Sequence, residues 1–211
     1  MLNPKTEQCP LCHSQSRTFY RELFFICSQC RGIFRSKDDF PTPTKEKARY
    51  ELHQNDIQDQ GYKDFVSPLI KAVLTNQKPE NSGLDFGSGS EAVISEIIKG
   101  YGYNVKAYDP FFRNTQEFLN HSYDYVICCE VIEHFHNPGK EFELLKRLLK
   151  PSGSLYCMTH IYDKSIDFSC WYYKNDFTHV FFYQKDTLEW IRANFGFREM
   201  MILDRLIHLK N

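Results

Sequence analysis

Two rhythms alternate along the latter part of the chain. Short apolar runs at 83–87, 104–109, 123–129, 153–160 and 197–209 have the length of strands. The stretches 90–101, 138–149 and 184–195 instead place their apolar residues three to four positions apart, as helices do. Such alternation predicts an α/β fold: an open, Rossmann-like, mostly parallel sheet with helices on both faces. Residues 45–77 read as largely helical, interrupted near Gly61 and again at Pro68, and 78–82 as a polar loop. Upstream, Asp38-Asp39 and Pro41-Thr42-Pro43 mark a turn-and-linker stretch. The segment 17–26 is rich in aromatic and β-branched residues and suits a small hairpin. The expected organisation is a small module over 1–40, a helical linker or lid over 41–80, and the sheet domain over 81–211.

The first strand of that sheet ends in Leu84-Asp85-Phe86-Gly87-Ser88-Gly89-Ser90 and runs straight into a helical stretch. Two glycines at a strand-to-helix turn let a ligand approach the backbone, and the helix start offers unpaired N–H groups. About twenty residues on, Asn104-Val105-Lys106-Ala107-Tyr108-Asp109 reads as a second strand ending in an acid, placed to accept hydrogen bonds from ribose hydroxyls. The hexapeptide Gly87-Ser88-Gly89-Ser90-Glu91-Ala92 also satisfies the loose dinucleotide fingerprint. Asp85 argues against that ligand, because it would add a negative charge beside a pyrophosphate. It suits a cofactor that carries an ammonium and a sulfonium. S-adenosylmethionine carries both. The expected cofactor-binding residues are therefore Asp85, Gly87, Ser88, Gly89 and Asp109. Tyr62 would reach the methionyl carboxylate from the preceding helix, and Glu130 would stand at a strand end near the sulfonium.

The cysteines add a second chemistry. Cys9-Pro10-Leu11-Cys12 and Cys27-Ser28-Gln29-Cys30 are two Cys-x-x-Cys pairs with fourteen residues between them. A two-residue gap lets both thiolates of a pair bind one ion, and two pairs complete a closed tetrahedral site. Structural zinc on Cys9, Cys12, Cys27 and Cys30 is the expectation, with Gly32 supplying flexibility after the second pair. Redox thiols or a disulfide pair would not need two such turns. Cys128, Cys129, Cys157 and Cys170 lack comparable spacing and read as small core residues or bystanders.

Composition narrows the picture. A hydrophobic fraction of 42% is ample for a core, and a formal net charge of −1 gives no field to attract nucleic acid or an anionic membrane. No apolar run approaches the roughly 18 residues of a spanning helix, and the first residues lack the apolar core of a secretion signal. The expected location is the cytoplasm, and the expected partner a small molecule, free or held on a carrier.

Several longer motifs resemble a known family. From about residue 81 the glycine loop and Asp109 follow the order of class I S-adenosylmethionine-dependent methyltransferases. The run Asp124-Tyr125-Val126-Ile127-Cys128-Cys129-Glu130-Val131-Ile132-Glu133-His134-Phe135 resembles the fourth motif of the branch containing ubiquinone-biosynthesis O-methyltransferases. So do Leu148-Leu149-Lys150-Pro151-Ser152-Gly153-Ser154-Leu155 and the aromatic and histidine segment from Trp171 to Tyr183. The cysteine pairs, with Tyr50, His53 and Gly61-Tyr62, resemble bacterial methyltransferases that carry an N-terminal zinc ribbon. The resemblance implies methyl transfer to an oxygen of a small or carrier-held metabolite. One departure stands out: only fourteen residues separate Asp109 from Asp124, so the third strand of the family is short or missing. The usual adenine contacts cannot be carried over, which leaves the neighbourhood of Phe111-Phe112.

Methyl transfer from a sulfonium needs alignment and deprotonation of the acceptor. The candidate bases are His134 and His179, with Glu130 beside them and His160 and 171–173 as pocket residues. Glu130, Glu133 and His134 also stand at i, i+3 and i+4, so a helix beginning there would converge them on one face, where His179 could join them. The pattern resembles the metal sites of small-RNA 3′-end 2′-O-methyltransferases and of the ubiquinone branch, and implies a second divalent ion. Other classes remain at this point: a nicotinamide-dependent oxidoreductase, or an inactive binding module that docks through its zinc ribbon.

Overall fold

The computed structural model describes residues 6–52 and 56–211, so His53 lies outside the described residues. Ten strands and five α-helices are described. The strands are β1 (Ser16–Tyr20), β2 (Phe24–Cys27), β3 (Ile33–Arg35), β4 (Ser82–Phe86), β5 (Asn104–Tyr108), β6 (Tyr123–Cys129), β7 (Leu149–Met158), β8 (Phe181–Phe182), β9 (Glu199–Leu203) and β10 (Leu206–Lys210). The helices are α1 (Pro43–Tyr50), α2 (Gln60–Asn76), α3 (Val93–Gly100), α4 (Pro138–Arg147) and α5 (Lys185–Asn194).

The main sheet has the order β5-β4-β6-β7-β10-β9. Its first three pairings are parallel, and β10 pairs antiparallel with both β7 and β9. The parallel strands bury both faces, which explains their nearly unbroken apolar runs. Along β6 the side chains alternate between two cores. Tyr123, Val126 and Cys128 face α4 and α5 through Phe142, Leu145, Leu188 and Ile191. Tyr125 and Ile127 face α2 and α3 through Val66, Leu69, Val73, Ile94 and Ile98.

Three expectations change, and a fourth, the short or missing third strand, is met. The run 197–209 is two strands, not one, reversing at Asp204-Arg205, where Asp204 adopts φ 52°. The helix expected over 90–101 begins only at Val93, because Ala92 takes a left-handed conformation with φ 49°. Pro68 does not interrupt α2. Its lost hydrogen bond and ring clash cost about 3 kcal/mol, whereas Val66, Leu69, Ile70 and Val73 bury side chains contributing about 1.5–3 kcal/mol each. α2 therefore covers one face of the sheet. Between β5 and β6 the chain forms only a 3₁₀ turn, Gln116–Asn120, so no third strand lies beyond β5.

The N-terminal segment packs into the rest of the chain. Its strands make a second sheet of order β1-β2-β3-β8, whose last member comes from the far side of the chain. Phe34 pairs with Phe181 and Ile33 with Phe182. Cys9, Leu11, Cys27, Cys30 and Phe34 share one core with β6, α4 and α5. Gly32 has a steric role here and does not supply the turn. The left-handed turn falls on Arg31 at φ 63°, while a Cβ on Gly32 would lie 2.3 Å from Phe181 Cζ. Chemical denaturation of Gly32→Ala should accordingly show a loss of about 1–3 kcal/mol, the usual cost of overpacking. Adding Phe181→Leu should recover part of that loss if the contact is its cause.

Candidate functional site

A single cleft of about 1130 Å³ opens at the carboxyl ends of β4, β5 and β6. That exceeds the usual 300–1,000 Å³ of a small-ligand pocket and leaves room for a cofactor and an acceptor together. Its floor is the glycine loop. Gly87 and Gly89 adopt φ +83° and +69°, and a Cβ on Gly89 would meet nothing within 4 Å, so the loop backbone lies open to the cleft. At Gly87 a Cβ would instead strike Val131 at 2.5 Å.

Asp109 holds this loop in shape. Its Oδ2 accepts from Gly89 N–H at 3.0 Å, and its Oδ1 accepts from Phe111 N–H at 2.8 Å and Phe112 N–H at 3.1 Å. A carboxylate offers about four lone-pair sites, so three are spent on backbone and one remains for a ligand hydroxyl. Asp85 is deeper than the sequence suggests. It is buried, accepts from Ser95 Oγ at 2.8 Å, and burial raises its carboxyl to about 6. Its side chain braces α3 against β4. Tyr62, Ser88, Phe111 and Phe112 all line the cleft, and burial raises the Tyr62 phenol.

The opposite wall carries the charged groups. β6 ends at Glu130 in a left-handed conformation, φ 52°, and the next turn is the 3₁₀ segment Ile132–His134. The helix expected to start at Glu130 is therefore absent, and the four proposed ligands do not all converge. Glu133, His134 and His179 do, with ligand atoms within 4.8 Å of one another. Glu130 turns aside to Arg205, whose Nη2 donates to its Oε2 at 2.7 Å. The Tyr173 hydroxyl lies between the two acids, 3.1 Å from Glu130 Oε2 and within hydrogen-bond reach of Glu133 Oε1, and its one proton serves one of them at a time. Burial raises Glu130 to about 8 and Glu133 to about 7.

Both histidines are oriented by backbone carbonyls. His134 Nδ1 donates to Thr178 O at 2.9 Å and His179 Nδ1 to Tyr173 O at 2.7 Å. A carbonyl only accepts, so each Nδ1 carries the proton and each neutral ring has its lone pair on Nε2. Burial also lowers His179 to about 3 and keeps it neutral. α1 closes over this wall: Arg49 pairs with Asp176 at 2.7 Å, and Tyr50 packs its ring on His134 and Phe111. His160 and Trp171 stand behind the cleft and not in it. Trp171 Nε1 donates to His160 Nδ1 at 3.3 Å, and only Tyr172 and Tyr173 of that group reach the lining.

Away from the cleft, the sulfurs of Cys9, Cys12, Cys27 and Cys30 lie within 4.8 Å of one another, with Cys9 and Cys30 at 3.5 Å and Cys12 and Cys27 at 3.3 Å. Tetrahedral zinc with bonds of about 2.3 Å sets sulfurs about 3.8 Å apart, so this donor set fits that ion. Left-handed His13 and Arg31, one after each pair, close the two turns.

A methyltransferase-domain profile matches residues 57–200. The chain belongs to the methyltransferase-domain family. No curated protein matches the sequence. Among solved structures, this methyltransferase is similar to the 1,6-didemethyltoxoflavin N1-methyltransferase of Burkholderia thailandensis, solved with 1,6-didemethyltoxoflavin and S-adenosylhomocysteine bound. The TM-score is 0.56 at 12% identity over 86% of this chain and 96% of that one. It is also similar to human N-acetylserotonin methyltransferase in complex with S-adenosylmethionine, with TM-score 0.55, 14% identity and 81% of this chain covered. An O-methyltransferase family protein of Burkholderia thailandensis gives TM-score 0.55 at 11% identity over 82% of this chain. The chain spans 60% of the human enzyme and 64% of the last protein. At such identities the likeness is one of fold. Among the described residues no helix is long and apolar enough to cross a membrane.

The residue that sequence reading missed in this methyltransferase is Arg205. It hid inside an apolar run read as one strand, although the charged pair Asp204-Arg205 in that run is itself a turn signal. The tyrosine bridge is open to test. Tyr173→Phe removes the hydroxyl that stands between Glu130 and Glu133 and leaves the buried Glu133 carboxyl poorer. It should cost about 1–3 kcal/mol by denaturant titration, whereas Tyr172→Phe, at an exposed position, should cost little.

Proposed function

We propose that this methyltransferase transfers a methyl group from S-adenosylmethionine to an oxygen of a small or carrier-held metabolite. The observation that carries the reading is the loop of Gly87 and Gly89, held open by Asp109, facing His134 and His179 across one cleft, with Glu133 buried beside the two histidines. Membership of the methyltransferase-domain family sets aside the nicotinamide alternative.

S-adenosylmethionine supplies the electrophilic methyl group. The protein aligns the acceptor and removes its proton. Asp109 would hold the ribose through its remaining lone pair, and the loop backbone would meet the methionyl part. His134 or His179, each with an Nε2 lone pair, takes the acceptor proton. Burial of His179 and the α1 cover keep water from competing. Glu133 Oε2 has no hydrogen-bond partner, and together with the two imidazoles it forms a donor set suited to a divalent ion. Ligating histidines commonly donate their second nitrogen to a carbonyl, as both do here. Such an ion on Glu133, His134 and His179, with Glu130 at its margin, would lower the pKa of a bound hydroxyl. Zinc on Cys9, Cys12, Cys27 and Cys30 would be structural, since the four sulfurs fill its coordination.

The cofactor reading predicts that S-adenosylhomocysteine binds in calorimetry and that Asp109→Ala weakens it about ten- to a hundredfold, the effect of a hydrogen bond to a charged group. NAD binding as tightly as S-adenosylhomocysteine would overturn the reading. The metal readings separate by element. Purified protein should hold about one zinc, lost in Cys9→Ser/Cys27→Ser. Mn²⁺ soaked into crystals should give anomalous density among Glu133, His134 and His179, and His179→Ala should abolish it without removing zinc. Transfer undiminished by chelation, with no density there, would leave the histidines as bases only.

A further inference from the structure

The main sheet has two edges, and they differ. β5, at one end, carries Lys106 in its middle, whose ammonium lies 4.6 Å from the ring centroid of Phe118 in the following 3₁₀ turn. Charge on an edge strand discourages pairing with another chain. β9, at the other end, has no such guard. From Met200 to Leu203 it reads Met-Met-Ile-Leu, and among the described residues no strand pairs with its outer side. Its side chains alternate between the two faces. Met200 and Ile202 are half-buried against the core that includes α4 and α5, while Met201 and Leu203 point to the other face and are 50% and 63% exposed.

β9 is also complementary to itself. Leu203 and Leu206 flank a two-residue turn and pair directly, so Leu203, Met201 and Glu199 direct their backbone groups to β10. Met200 and Ile202 direct theirs outwards. In an antiparallel pairing about a two-fold axis at Met201, Met200 exchanges both hydrogen bonds with Ile202 of the partner subunit, and Met201 faces Met201 of the partner subunit. The same register brings Arg198, just before the strand, opposite Asp204 of the partner subunit, just after it, at both ends of the pairing. Both residues are exposed, and among the described residues neither forms an ion pair. Arg198 stands instead near a like charge: burial and the Arg198 guanidinium together lower Lys146. An axis at Met200 or Ile202 would set Arg198 opposite an apolar residue, and the second would call on Arg205, already held by Glu130. We propose that β9 pairs with β9 of a second copy of this chain, two-fold about Met201, and joins the two main sheets into one. The pairing covers the apolar edge and neutralises the charge at each end, and it does not depend on the cofactor reading.

Sedimentation equilibrium on the full chain should give twice the monomer mass. Arg198→Asp sets acid against acid at each end and should weaken self-association about tenfold, as should Asp204→Arg; the two changes together should restore most of it. Cross-linking reads the register directly. In a Cys170→Ser background, which removes the exposed native thiol, Met201→Cys should join two copies on oxidation. Facing residues of a non-hydrogen-bonded pair lie about 4.5 Å apart at Cα, within disulfide reach. Leu203→Cys should not cross-link, because its counterpart lies four residues along the ladder, about 13 Å away. A monomer at every concentration reached would overturn the pairing. So would a dimer that Arg198→Asp leaves unchanged, or one in which Leu203→Cys cross-links and Met201→Cys does not.

Discussion

The backbone pairing of β3 with β8 is the constraint on which the cleft depends. Arg35 N–H donates to Val180 O at 2.9 Å, and Val180 N–H donates to Glu133 O at the same distance. One residue thus ties the cysteine hairpin on one side to the end of β6 on the other. His179 directly precedes it, and His134 is anchored to Thr178 two residues back. Further ties run alongside: Gln184 reaches Arg31 O, Arg35 reaches Lys174 O, and Tyr183 reaches Ile132 O. The two histidines owe their positions to a hairpin that contributes no side chain to the cleft. The four thiols are then linked to the chemistry mechanically, through a strand, and not by proximity.

Much of this was legible beforehand because it rests on local rules. Strand-helix alternation, the glycine turn and the short connection between β5 and β6 are all properties of neighbouring residues. The cysteine spacing was legible for the same reason, since each pair is a local turn. What was not legible came from long-range competition. Pro68 was read as a break because its cost is local, whereas the apolar face that outweighs it exists only against the sheet. Glu130 was read as the first residue of a helix, and a single left-handed residue directs it to a partner seventy-five positions away. Gly32 was read as flexible when the constraint is the Phe181 ring on the far side of the chain.

The cleft also shows how buried acids are tolerated when they have company. Asp85, Glu133 and Glu130 would each be costly alone in a low-dielectric wall. Ser95, Tyr173 and Arg205 offset that cost by hydrogen bonding, and the raised carboxyl of each acid measures what the offset leaves uncovered. The residual tension is concentrated where a positively charged ligand or ion would relieve it. His179, kept neutral by burial, stands on the same wall, so proton acceptors and acids are sorted by environment as much as by type.

The position of β10 has a consequence for how the protein is made. This strand lies between β7 and β9, so the interior of the sheet is completed by a segment translated after both of its neighbours. Until β10 is in place, β7 presents an open edge and β9 has no sheet to join. The turn bearing Arg205 cannot settle against Thr159 before then. The strands β1, β2 and β3 of the cysteine hairpin, by contrast, precede every strand of the main sheet along the chain. The order of the strands thus puts the support before the charged wall of the cleft and leaves β7 with an association-prone edge until β10 joins it.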